Sequence, residues 1–132
     1  MVRREIPFEE WPQVIDQFGR AHQGKMALVA LTAPATGTRR LCEDRPLLGV
    51  VDERHGRPDE SVTVMWNAAG GASSHTIQRP ARASIAEWND AYSAELEIAS
   101  AQGERLVVRA GPESQLLEPG MVTDGILLER QP

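Results

Sequence analysis

Apolar positions near the N-terminus recur at helical intervals. In IPFEEWPQVIDQFGRAHQG, Phe8, Trp11, Ile15, Phe18 and His22 follow one another at spacings of three, four, three and four residues. At 3.6 residues per turn these side chains share one stripe. Glu9 and Glu10 sit in the first turn, where the helix dipole favours anions. Pro12 is tolerated if regular helix begins just before it. Gly19 weakens the interior somewhat, and Gly24 suits a left-handed terminus. The pattern predicts an amphipathic helix of about three turns that must dock its stripe on another surface.

Beyond Gly24 the period changes. KMALVALTA reads as a buried strand ended by Pro34, PATGTRRLCEDRP as a polar loop, LLGVVDE as a strand and RHGRPDE as a turn. SVTVMWN alternates, with Val62, Val64 and Trp66 on one face. SSHTIQ follows and breaks at Pro80, then come ARASIAEWN, AELEIAS and ERLVVRA. The expected fold is α+β: an N-terminal helix packed on an antiparallel meander sheet of about six or seven strands, curled toward a partial barrel because the strands are short and one helix covers only one face. Residues 1–110 form the domain. Residues 111–132 form a C-terminal extension that docks on it through MVTDGILLE, as a hairpin turning at Asp124-Gly125 or as a single edge strand. Sheet edges need cover, and pairing with a second copy in a homodimer would provide it as well as the extension does.

The turns set the registers. In AELEIASAQGERLVVRA, a two-residue loop at Gln102-Gly103 leaves Leu106 facing outward. A three-residue loop, Ala101 to Gly103, sets Ile98 against Leu106 and Leu96 against Val108, keeps the aliphatic set on one face, and puts Gly103 where a left-handed residue is needed. The second register is expected. In WNAAGGASSHTIQ, a two-residue turn at Gly70-Gly71 would set Trp66 against His75 and Val64 against Ile77.

Composition narrows the class. The chain has 132 residues, 41% hydrophobic and 25% charged, which is globular and large enough for a core without disulfides or metal. Aromatics are sparse, so Trp11, Trp66 and Trp88 carry much of the core volume. The net charge of −5, with arginines in scattered pairs, argues against nucleic acid as a partner. Cys42 is the single cysteine, which suits a reducing compartment. MVRREIPFEE lacks the apolar core of a secretory signal, and MALVAL is far shorter than a membrane helix. These features together read as a cytoplasmic, non-membrane protein.

Candidate chemistry centres on His75, in GGASSHTIQRP. The hairpin turns its ring inward with Val62, Val64 and Ile77, while Ser74 and Thr76 point the other way, so a Ser74–His75 catalytic pair is disfavoured. Ser73 shares the face of His75, two positions along. His22 suits the helix C-terminus, and His55 lies in a polar turn. No C-x-x-C, H-x-x-x-H, phosphate-loop or dinucleotide pattern occurs, so neither metal nor cofactor is expected. Glu43 and Asp44 beside Cys42 raise its thiol pKa and argue against a reactive thiolate. Glu95, Glu97, Arg105 and Arg109 read as a solvated, salt-bridged outer sheet face.

With these residues in view, REIPFEEW, Phe18 to Gly24 as F-x-x-x-H-Q-G, SHTIQRP and ELEIASAQGERLVVR resemble a family of small bacterial proteins catalogued only as a domain of unknown function. The likeness runs from about Arg4 to Arg109, and Ser74 stands where the family pattern suggests threonine. The resemblance implies an α+β unit with one N-terminal helix and a meandering sheet. It marks Trp11, His22, Gly24, His75, Ile77 and Pro80 without assigning them roles, and it implies no activity.

The expectation for function is a non-catalytic binding or protein-interaction module. Its pocket would be formed by Trp66 and His75, joined by Trp88 if that strand faces inward, and its partner would be a protein or a small molecule. No catalytic residue is assigned. The alternatives are a small enzyme using His75 as general base and a structural or stress-associated protein.

Overall fold

The computed structural model describes residues 2–53, 61–87 and 93–111. Strands β1 (Val2–Glu5), β2 (Met26–Ala33), β3 (Gly37–Asp52), β4 (Ser61–Ala68), β5 (Gly71–Gln78), β6 (Pro80–Glu87), β7 (Ala94–Ser100) and β8 (Arg105–Gly111) form one sheet in the order β1-β6-β7-β8-β2-β3-β4-β5. Every pairing is antiparallel. Two sequential meanders, β2 to β5 and β6 to β8, join where β8 pairs with β2. Among the described residues, no helix is long and apolar enough to cross a membrane.

The count of eight strands exceeds the six or seven expected, because β1 was not foreseen. The supposed polar loop before Leu47 is also strand: β3 begins at Gly37 and runs through Arg45. Two bulges hide it. Asp44, in a left-handed conformation (φ 57°), and Leu41 are extra residues against β2, so the in–out alternation that marks a strand is broken twice. Across that half only Cys42 is buried.

Curvature follows from one connection. Arg79 alone (φ 51°) joins β5 to β6, yet these strands are far apart in the sheet order. The sheet must therefore curl until the β5 end comes round beside β6 and β7. The Ala101 amide donates to the Arg79 carbonyl at 3.0 Å across this seam. The end strands β1 and β5 are not paired to each other, so the curl stops short of a closed barrel.

The helix α1 (Trp11–Ala21) follows a 3-10 turn, Phe8–Glu10. Its stripe begins at Trp11. Phe8 belongs to the tighter turn, off the α-helical period, and is 59% exposed, with its ring centroid 5.5 Å from that of Trp11. Trp11, Ile15 and Phe18 enter the concave side of the sheet and share one core with Val29, Leu47, Val64, Ile77, Leu96, Ile98, Leu106 and Val108. Each large apolar side chain buried this way stabilises by about 1.5–3 kcal/mol. Gly24 takes the left-handed conformation (φ 85°) that ends the helix, and its amide donates to the Leu47 carbonyl at 2.8 Å.

Gly19 is in the helix for close approach. A Cβ there would lie 2.9 Å from the backbone nitrogen of Val50, inside β3. On an exposed helix Gly→Ala gains up to about 1 kcal/mol. Here Gly19→Ala must push α1 off β3, and we expect a net loss of about 1–3 kcal/mol in chemical denaturation. A stabilised Gly19→Ala protein would mean that α1 does not sit against β3.

Candidate functional site

The β7–β8 hairpin has the expected register, with Leu96 opposite Val108 and Ile98 opposite Leu106, and Gly103 left-handed at φ 91°. The β4–β5 hairpin does not. Its turn is Ala69-Gly70, which sets Trp66 opposite Ser73, Val64 opposite His75 and Val62 opposite Ile77. The turn is displaced by one residue, so each partner moves by two. A shift of two preserves the face, so His75 still points inward, but it is not across from Trp66. Trp66 is 5% exposed and packs in the core. Ser74 and His75 lie on opposite faces of β5, with Ser74 exposed and His75 half-buried. Trp88 and His55 lie outside the described residues.

The Nε2 atom of His75 is buried and has no hydrogen-bond partner among the described residues. Burial lowers its pKa below the ordinary 6.5. Glu104 acts to raise it and Arg39 to lower it further. Those two charges line a cleft of about 610 Å³ at the rim of the curled sheet. Leu31, Ala33, Pro34 and Ala35 from the end of β2 form its apolar wall. Thr36 and Arg39 come from the start of β3, Gln78 from the end of β5, and Gln102 and Glu104 from the β7–β8 turn. Neither His75 nor Trp66 is among these lining residues. Among the described residues, the side chains of Arg39 and Glu104 form no ion pair. Three separate chain connections meet here, which is why no local pattern announced the cleft. The only hints were a proline and two glutamines at the ends of strands.

A second cavity, about 310 Å³, opens on the outer side of β1, β6 and β7. Its charges are already engaged. Arg82 pairs with Glu5 at 2.5 Å, Arg3 with Glu95, and Glu97 lies 3.6 Å from Arg3 and 3.8 Å from Arg105. A ligand would have to displace these partners. The rim cleft imposes no such cost.

His22 is 9% exposed and packs on Phe18, with ring centroids 4.6 Å apart and its Nδ1 2.9 Å from the Phe18 carbonyl oxygen. Burial lowers its pKa and Lys25 adds to this, while the bond to Phe18 and the charge of Glu87 oppose it. With both histidines lowered, the unfolded chain takes up protons more readily than the folded one. Their contribution to stability is therefore complete above the unfolded value near pH ~6.5 and falls as pH drops below it toward the folded values. Denaturation midpoints should decline over this window, and His75→Gln should flatten part of the decline. An unchanged slope in His75→Gln would show that the ring protonates freely in the folded protein.

Cys42 is buried, and its thiol donates to the Ala27 carbonyl at 3.5 Å. Burial pushes its pKa up to about 11, and Asp44 and Glu43 add to the rise against the opposing influence of Arg45. A thiol held that high is an inert nucleophile near neutral pH. Disulfide reagents should modify Cys42 in the folded chain far more slowly than in urea; equal rates would place the sulfur at the surface.

Among the described residues, no group of three or more His, Cys, Asp or Glu is placed to hold a metal ion. No curated protein and no solved structure is significantly similar to the chain. A family model does match, over residues 2–119, so the likeness extends past Arg109 into the C-terminal segment. By that match the chain belongs to DUF5335, a family of unknown function.

Proposed function

We propose that this protein is a non-catalytic binding module whose ligand seat is the rim cleft between the β2–β3 connection, the end of β5 and the β7–β8 turn. The observation that carries the reading is the pairing of an apolar wall with two charged side chains, Arg39 and Glu104, that form no ion pair among the described residues. Pockets of this kind orient a ligand with a few polar groups and hold it by apolar burial. The ligand that fits is a small amphipathic molecule: an anionic group against Arg39, a hydrogen-bond donor against Glu104, and an apolar body on Leu31, Ala33 and Pro34.

The buried, unpartnered Nε2 of His75 favours one other reading, a small enzyme with His75 as general base. It is the weaker one, since Ser74 faces away and Ser73 is two positions along the strand. A heteronuclear NMR titration with a panel of N-acetylated amino acids separates the readings. Binding at the cleft shifts the amides of Ala33, Ala35, Gln78 and Gln102, and Arg39→Gln removes those shifts. Shifts confined to His75 and Ser73 would favour the enzyme. An unresponsive cleft at saturating ligand would remove it as a seat for this class.

A further inference from the structure

We propose that the ligand of the rim cleft is an extended peptide segment of a partner protein, which adds as a strand to the open edge of β5 and sets an apolar side chain in the cleft between an anionic and a cationic group. This rests on the rim cleft being the ligand seat and names the class of ligand that the seat takes.

The sheet has two end strands, and they are protected differently. β1 is four residues long, and Arg3, Arg4 and Glu5 are charged. A short, charged strand resists further pairing. β5 is eight residues long, and its sequence GASSHTIQ contains no Lys, Arg, Asp, Glu or Pro. Its register with β4 runs without a bulge from Ser61 opposite Gln78 to Ala68 opposite Gly71. Among the described residues, no strand pairs with its other edge. The C-terminal extension that was expected to cover a sheet edge lies, from residue 112 onward, outside the described residues. A regular, uncharged edge of this length presents backbone donors and acceptors in the geometry that an added strand needs. Ala72 and Ser74 on it are exposed, and Ser73, His75 and Thr76 are half-buried.

The cleft lies against this strand. Gln78, the last residue of β5, lines it together with the β2–β3 connection and the β7–β8 turn. The charges of Glu104 and Arg39 both act on His75, so they stand within electrostatic reach of the middle of β5 as well as its end. A strand laid on β5 turns alternate side chains to the inner side of the sheet, where Leu31, Ala33 and Pro34 form the apolar wall. Among the described lining residues only Arg39 and Glu104 are charged, and neither forms an ion pair there. A peptide with one carboxylate and one ammonium group complements both. A second copy pairing through its own β5 brings neither charge from that strand, so the occupant that fits is a partner's peptide.

Two blocked pentapeptides, acetyl-Lys-Thr-Leu-Thr-Glu-amide and acetyl-Glu-Thr-Leu-Thr-Lys-amide, probe the full-length chain in both charge orders. One of them is expected to shift the NMR amide signals of Ala72, Ser74 and Thr76 together with those of Gln78 and Gln102, and to slow hydrogen exchange along β5. Arg39→Gln and Glu104→Gln should each weaken its binding by about tenfold. N-methylated peptides separate strand pairing from simple occupancy of the cleft. Successive amides of an extended peptide face opposite edges, so a methyl on the Leu amide and one on the next Thr amide should act unequally, one abolishing binding and the other leaving it intact. Equal effects of the two methyl groups would overturn the proposal. So would cleft shifts with N-acetylated amino acids but none with either peptide, an outcome that leaves the cleft as a seat. β5 amides already protected from exchange before peptide is added, in a monomer or in a dimer of two copies, would show the edge occupied and overturn it as well. A cleft unresponsive to every probe would remove both readings.

Discussion

Replacing Glu95 with alanine should cost about 3–5 kcal/mol, the loss expected when one member of a buried ion pair is removed. Glu95 is fully buried and accepts from Arg109 through Nε at 3.1 Å and Nη2 at 2.6 Å, and it also pairs with Arg3. The single methyl of Ala86, between Glu95 and Arg3 in the cross-strand row, lets the Arg3 side chain reach over it. Without the carboxylate, the buried Arg109 guanidinium loses the anion that accepts from its Nε and Nη2. The cost therefore includes the penalty of a buried cation deprived of this carboxylate and is not the net worth of the pair. A double variant with apolar residues of similar volume, Glu95→Leu with Arg109→Met, should recover most of the loss. Arg82→Ala, which breaks only the exposed pair with Glu5, should change stability by less than about 1 kcal/mol. Urea unfolding of the four proteins decides. A Glu95→Ala loss no larger than that of Arg82→Ala would show that water reaches the carboxylate.

Trp11→Ala should be comparably severe, about 3–5 kcal/mol, because a 1%-exposed indole leaves a cavity that the neighbours cannot fill. Trp11 is also a joint. Its Nε1 donates to the Ile6 carbonyl at 2.9 Å, while the Ile6 amide donates to the Ala83 carbonyl at 2.8 Å. One ring thus ties the start of α1 to the chain leaving β1 and, through it, to β6. Trp11→Phe keeps most of the packing but leaves that buried carbonyl without its indole donor, so it should lose a smaller amount, about 1–3 kcal/mol. Thermal unfolding should rank the wild type above Trp11→Phe and Trp11→Phe above Trp11→Ala. Equal losses for the two variants would assign the whole effect to the hydrogen bond.

How much of this was legible depended on how local the governing interaction was. The helix stripe Trp11, Ile15, Phe18 and His22 shows itself in its spacing because the first three side chains enter one core and His22 packs on Phe18. Phe8 escaped the pattern because the 3-10 turn changes the angle per residue. The β7–β8 register was readable because a slip by one residue would expose Ile98 and Leu106. The β4–β5 register was not, because slipping by two residues leaves every large side chain on its own face. Ala-Ala-Gly-Gly also offers two adjacent turns of nearly equal quality. The placement of Ala69-Gly70 therefore fell to the tertiary environment.

The sequence by itself determined an N-terminal amphipathic helix, a set of antiparallel strands, an inward-facing His75 and an unreactive Cys42, since each follows from side-chain period or immediate neighbours. Only the tertiary structure decided that β8 pairs with β2, that one residue at Arg79 forces the sheet to curl, that Glu95 and Arg109 are buried, and that Pro34, Arg39, Gln78 and Glu104 surround one cleft. These are meetings of residues distant along the chain. No local period encodes them, because what selects them is the burial of a shared core once all the strands are in place.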